Sequence, residues 1–321
     1  MRAISLLLVS AVLLAPGVPA SFAQDEPIIK VEVNVVNILF NVRDKRGGLI
    51  GNLNKDDFTI LEDGKQQDIK YFNRETDLPL TIGLLIDVSA SQGNLIDIER
   101  NAAYQFFGSV LRKQDLAFLI SFGSDAELLQ DYTNSAALLR KGLEGLQVNS
   151  DVGGLHPGPV PTISQPRGTI LYDAVYLAAS DQLKGQVGRK VLVLITDGED
   201  QGSRYKIAQA IESAQRADAI IYGFYYVDRA FYYGHGIVFG GVSDSELRRM
   251  AEETGGHVFH VDKKMTLQDA FTELQNEMRS QYAIGYTPTN GAKDGSFRRI
   301  EIRTNNKEWK VQARKGYYAS K

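Results

Sequence analysis

The chain of 321 residues contains no cysteine, which excludes disulfides, a cysteine-ligated metal and a lipid-modified cysteine near the N-terminus. Whatever fold forms must be held by core burial alone. Histidine occurs four times, as His156, His235, His257 and His260. Their spacing does not suit zinc: 257 and 260 fall on opposite faces of a short strand, and no H-E-x-x-H run accompanies them. Charge of one sign is also lacking, with 36 Lys and Arg against 39 Asp and Glu and a formal net charge of -3. The basic residues are scattered, so no field exists to attract nucleic acid, and none is expected as a partner. After residue 23 no apolar run is long enough to span a bilayer.

The one long apolar stretch, 4–15, follows Met1-Arg2 and precedes Ser21-Phe22-Ala23. This is the layout of a secretory signal, residues 1–23, cleaved after Ala23. The protein is therefore expected to be exported, to the periplasm or beyond the cell. A single tryptophan stands against 15 tyrosines and 14 phenylalanines, a balance that suits a recognition surface and a β-sheet alike.

At this length about two domains fit. From 28 to 72 the pattern has period two, with Ile29, Val31, Val33 and Val35 on one parity and Ile38, Phe40 and Val42 on the other, which predicts a bulge near Val36. Turn signals at 44–48 and 62–65 bound strands at 57–61 and 68–72. Period two returns after 281, with Phe297, Ile300 and Ile302 and then Trp309, Val311 and Ala313 as the apolar set. The two terminal segments, 24–78 and 282–321, are expected to complete one small antiparallel β-sandwich, because an isolated hairpin is marginal.

Between them, 79–281 alternates strand and helix. Helices are predicted at 97–111, 135–146, 169–183, 203–217, 244–254 and 267–280, and strands at 116–121, 127–132, 191–195, 219–226 and 257–261. Such βα alternation implies a doubly wound, mostly parallel sheet with helices on both faces. A ligand site in such a sheet lies beyond the carboxyl ends of the strands, where strand order reverses.

The chemistry concentrates at two of those strand ends. Leu84-Leu85-Ile86 runs into Asp87-Val88-Ser89-Ala90-Ser91, and alternate residues of an extended chain project to one side. Asp87, Ser89 and Ser91 can thus converge on a point, offering hard oxygens that suit Mg²⁺ or Mn²⁺. Thr169 opens the run Gly168-Thr169-Ile170-Leu171-Tyr172-Asp173-Ala174, and Asp197 follows the apolar strand Val191-Leu192-Val193-Leu194-Ile195 in Thr196-Asp197-Gly198.

These three runs, in this order, resemble the von Willebrand factor A family and its metal-ion-dependent adhesion site. The likeness is to bacterial secreted proteins of the acidobacterial type and extends to both flanks. It implies a Rossmann-like fold inserted in the β-sandwich, the two metal strands as central neighbours, and an ion touched by Ser89, Ser91 and Thr169. Asp87 and Asp197 would act directly or through water. Ala90 stands where many relatives have glycine.

An ion held mainly by neutral hydroxyls keeps much of its charge and seeks an outside carboxylate. The expected function is thus non-catalytic binding of a protein partner through its Asp or Glu, with Mg²⁺ as cofactor and Mn²⁺ or Ca²⁺ as alternatives. Two other readings compete. One is an envelope scaffold whose metal is structural; the other is a phosphohydrolase, which would need a second Asp as general acid where Ser89 stands. Two irregular segments, 149–167 and 228–243, should border the metal, and Phe231, Tyr232 and Tyr233 in the second are expected anchors for the partner.

Overall fold

A computed structural model describes residues 35–75, 78–148, 168–234 and 243–319. The secretory segment 1–23, the stretch 149–167, His156 and His235 lie outside the described residues.

The chain begins with β1 (Val36–Arg43), β2 (Phe58–Glu62), β3 (Lys65–Gln67) and β4 (Ile69–Glu75). It then alternates through β5 (Leu80–Asp87), α1 (Ile96–Val110), β6 (Leu116–Phe122), β7 (Ala126–Thr133), α2 (Ala136–Glu144) and α3 (Leu171–Leu177). The alternation continues through β8 (Arg189–Thr196), α4 (Ile207–Arg216), β9 (Ala219–Tyr226), α5 (Arg229–Gly234), α6 (Ser245–Thr254), β10 (Val258–Val261) and α7 (Leu267–Arg279). It closes with β11 (Gln281–Tyr286), β12 (Phe297–Thr304), β13 (Lys310–Ala313) and β14 (Gly316–Tyr318).

The expected α/β architecture is present. Six strands form one sheet in the order β10-β9-β8-β5-β6-β7, parallel except for β7. β5 and β8 are buried at every position, which explains why their sequences read as unbroken apolar runs and not as alternation. They lie side by side in register, Ile82 opposite Val191 and Ile86 opposite Ile195. From β5 the chain steps first to β6 on one side and later to β8 on the other, so the strand order reverses between β5 and β8. One face of the sheet packs on α1, α2 and α7 through Ala103, Phe107, Leu143, Phe271 and Leu274. The other packs on α3, α4 and α6 through Leu171, Val175, Ala214, Leu247 and Met250.

Two further four-stranded sheets, β13-β1-β11-β4 and β14-β12-β2-β3, share a core of Ile38, Phe40, Phe58, Ile60, Tyr282, Ile284 and Ile300. Strands from both ends of the chain interleave in each sheet. Two details depart from the periodic reading. β11 is buried on both faces, and its alternation is of large residues, Tyr282, Ile284 and Tyr286 in the sandwich core, against Gln281, Ala283 and Gly285, not of apolar against charged. In β12 the inward parity is Arg298, Ile300 and Ile302, leaving Phe297 outside; Arg298 is buried against Asp294 at 3.2 Å. The predicted helix 169–183 is α-helical only to Leu177 and continues as π-helical turns over Ala178–Leu183.

The sandwich and the α/β layers make one compact unit, Asn34–Lys321. A buried carboxylate joins them. Glu277 of α7 lies 2.7 Å from the Arg43 guanidinium of β1 and 3.5 Å from His257 Nδ1, and accepts from Tyr222 of β9 and Gln312 of β13. Burial pushes its pKa up, but His257 and Arg43 outweigh that and hold it below the usual range. Removing one member of such a buried pair strands the other charge. Glu277→Ala is therefore expected to cost about 3–5 kcal/mol in a urea-unfolding titration, whereas a loss near zero would make the cluster incidental.

Candidate metal centre

β5 and β8 deliver their carboxylates to the same end of the sheet. Asp87, the last residue of β5, is fully buried. One of its oxygens accepts the Ser89 backbone N–H at 2.9 Å and the other accepts the Thr196 hydroxyl at 2.6 Å. The first bond folds the chain back just past the strand, and the second locks β5 to β8. Thr196 Oγ1 also accepts the Gly198 N–H at 3.1 Å, setting the turn after β8. Gly198 has φ +85°, a conformation that side chains resist, so T-D-G turns where T-D-A would strain.

The hydroxyls complete a chain of oxygens. Ser89 Oγ is 3.1 Å from Ser91 Oγ, and Ser91 Oγ donates to Asp197 Oδ2 at 2.6 Å. Asp197 is 1 % exposed, and its other oxygen accepts the Glu199 N–H at 3.3 Å. Asp87, Ser89, Ser91 and Asp197 thus form one hydrogen-bonded network together with Thr196. Thr169 is tied through the backbone to the segments that follow β8 and β6: its carbonyl accepts the Gln201 N–H at 2.9 Å, and the next residue's N–H bonds to Gly123 O at 2.9 Å. Gly168 makes this approach feasible, since a Cβ there would stand 2.5 Å from Gln201 Cβ. No hydrogen bond joins the Thr169 hydroxyl to the network among the described residues.

Electrostatics make the place unusual. Burial, with Asp197 as the second cause, raises the Asp87 pKa to about 7. Glu99 of α1 is fully buried, its two carboxyl oxygens lack any hydrogen-bond partner, and burial, then Asp87, then Asp197 push its pKa well up. Glu199 is raised as well, by burial and then Asp197. Among the described residues no Lys, Arg or His forms an ion pair with Asp87, Asp197 or Glu99. Nor is there, among those residues, a cluster of three or more His, Cys, Asp or Glu arranged to hold a metal. The donor set is instead mixed, two carboxylates with hydroxyls, which fits a hard cation kept incompletely neutralised.

Sequence reasoning missed Glu99 and Thr196. Glu99 could have been found: it sits on the inward stripe Ile96, Glu99, Ala103, Phe106, Val110, where an apolar residue is expected. The three aromatics expected as partner anchors after β9 differ in exposure. Tyr232 is only 7 % exposed and its hydroxyl donates to Asp197 Oδ2 at 2.6 Å, while Phe231 is half-buried and Tyr233 is 68 % exposed. Tyr232 therefore faces the network and not the solvent, because adjacent residues of a helix point about 100° apart. Burial and then Asp197 push its pKa upward. His257 and His260 bind no common point; His260 Nε2 lies 2.9 Å from Asp244.

A family model, the von Willebrand factor type A domain, matches residues 160–273. That span includes Thr169 and Asp197 and leaves out the D-x-S-x-S run. No curated protein sequence matches the chain. Among solved structures, it resembles a von Willebrand factor type A protein from Catenulispora acidiphila at 13 % identity and TM-score 0.48, over 91 % of this chain and 75 % of that one. An aerotolerance-related membrane protein from Bacteroides fragilis matches at 16 % identity and TM-score 0.45, over 62 % of this chain and 98 % of that one. Proximal thread matrix protein 1 from the mussel byssus, described with a zinc-occupied MIDAS motif, matches at 14 % identity and TM-score 0.49, over 68 % of this chain and 50 % of that one.

Proposed function

Since this chain carries a von Willebrand factor type A domain, we propose that it is an exported, non-catalytic binding protein that grips a carboxylate of a protein partner through a divalent cation. Ser89, Ser91 and Thr169 supply hydroxyl oxygens to that cation, and Asp87 and Asp197 supply charge beside it. Mg²⁺ is the proposed ion, because small hard cations prefer oxygen donors and retain part of their own hydration.

The observation that carries the reading is the oxygen chain from Ser89 through Ser91 to Asp197, with Asp87 and the unpartnered Glu99 buried behind it. Buried carboxyls without a basic neighbour call for a proton or a cation. Hydroxyls that already donate to a carboxylate have their lone pairs turned elsewhere, which is the arrangement an ion needs. The position two after Asp87, where a phosphohydrolase of the kind weighed above needs a second Asp as general acid, is a serine, whose hydroxyl does not shuttle protons near neutral pH.

No helix among the described residues is long and apolar enough to cross a membrane. The test is capture from envelope and extracellular fractions in Mg²⁺ and in EDTA. Partners retained in Mg²⁺ and released by EDTA support the reading. Partners retained equally in both point to a scaffold with a structural site, and turnover of a phosphate ester would replace binding with catalysis.

A further inference from the structure

We propose that Tyr232 is a built-in competitor for the ion site: its hydroxyl occupies the acceptor capacity of Asp197 and lowers the affinity for the cation. The inference rests on the ion-site reading above and adds a residue outside the three sequence runs that define it.

Two hydroxyls donate to the same oxygen, Asp197 Oδ2, both at 2.6 Å, one from Ser91 and one from Tyr232. A carboxylate oxygen has two lone-pair directions, so this one is saturated. The Ser91 bond is compatible with ion binding, because a hydroxyl can lend its lone pair to a cation while its proton stays on the carboxylate. The Tyr232 bond competes: a water on the ion that seeks Asp197 Oδ2 must displace it.

The contact is built into the fold. Asp228, 7 % exposed, accepts the N–H groups of Ala230 and Phe231 on one oxygen, at 2.9 and 3.3 Å, and so fixes the start of α5. Its other oxygen accepts from Asn94 Nδ2 at 2.6 Å, and Gln92 Nε2 donates to Tyr226 O at 3.3 Å. Gln92 and Asn94 belong to the turn that carries Ser89 and Ser91. The ion-bearing turn and the Tyr232 segment are therefore stitched together at their base by two bonds, and the tyrosine hydroxyl reaches across to Asp197 at the end of β8.

The experiment is Mg²⁺ titration calorimetry on the full chain and on Tyr232→Phe, with Tyr233→Phe as the exposed control. Deleting the hydroxyl leaves Asp197 Oδ2 still bonded by Ser91, so no buried group is orphaned. Tyr232→Phe is expected to bind Mg²⁺ about three- to tenfold more tightly, the size of one net hydrogen bond, with Tyr233→Phe unchanged. A tyrosine near-UV difference signal on adding Mg²⁺ should be present in the parent and absent in Tyr232→Phe. Equal or weaker binding by a folded Tyr232→Phe, with the parent binding normally, overturns the inference alone. Absence of Mg²⁺ binding in both folded proteins overturns the ion-site reading and the inference with it.

Discussion

Asp87→Ala is expected to lose Mg²⁺ affinity by about 100-fold or more, at the upper end of what removing a supporting carboxylate costs. Asp87 does three things at once: it folds back the Ser89 turn, ties β5 to β8 through Thr196, and places charge beside the hydroxyls. Alanine removes all three. Asp87→Asn keeps the shape of the group and one acceptor oxygen for the Ser89 N–H, and removes the charge together with the acceptor that faces Thr196, so it separates a lost charge from a lost turn. If both variants fold and calorimetry finds parental affinity in each, Asp87 is no part of a cation site. A loss in alanine alone would assign the residue to shaping the turn.

The second large effect is on pH. Asp87 titrates near 7 in the folded chain against 3.8 in the unfolded one, raised by burial and then by Asp197, and Glu99 moves in the same direction. The folded state therefore holds these protons more tightly than the unfolded state does. Their contribution to stability is fully present below about pH 4 and is lost as pH rises through about 7. Carboxyls shifted downward, such as Glu277 and Asp244, act oppositely and only in the acid range below that window. A cation takes the place of the proton, so Mg²⁺ affinity should rise with pH up to about 7, by roughly tenfold per unit for one linked proton, and then level off. Melting curves from pH 5 to 8 should fall with pH in EDTA and diverge upward in Mg²⁺. Parallel curves in the two buffers would show that the buried carboxyls are not coupled to an ion.

Much of this arrangement is legible in the sequence because it depends on local periodicity. The runs 84–86 and 191–195 are apolar without alternation, which only strands covered on both faces require, and the Asp after each marks a strand end. The spacing Asp87, Ser89, Ser91 is likewise local, and the structure joins those residues to Asp197 in one network. What escapes depends on burial set by distant parts of the chain. Tyr232 and Tyr233 are the same residue type side by side, and only the position of α5 beside the turn at 89–94 decides which is inside.

The seam between β4 and β11 has a mechanical consequence. The chain leaves the sandwich from the end of β4, and it returns through β11 with only Ser280 between that strand and α7. Glu75 and Gln281 are register partners, so both tethers of the α/β unit start at the same end of two adjacent antiparallel strands. A pull on the α/β unit, directed along those strands, loads the two tethers together and cannot peel one from the other. Resistance falls instead on the ladder between β11 and β1, whose bonds lie across the load and must be sheared together.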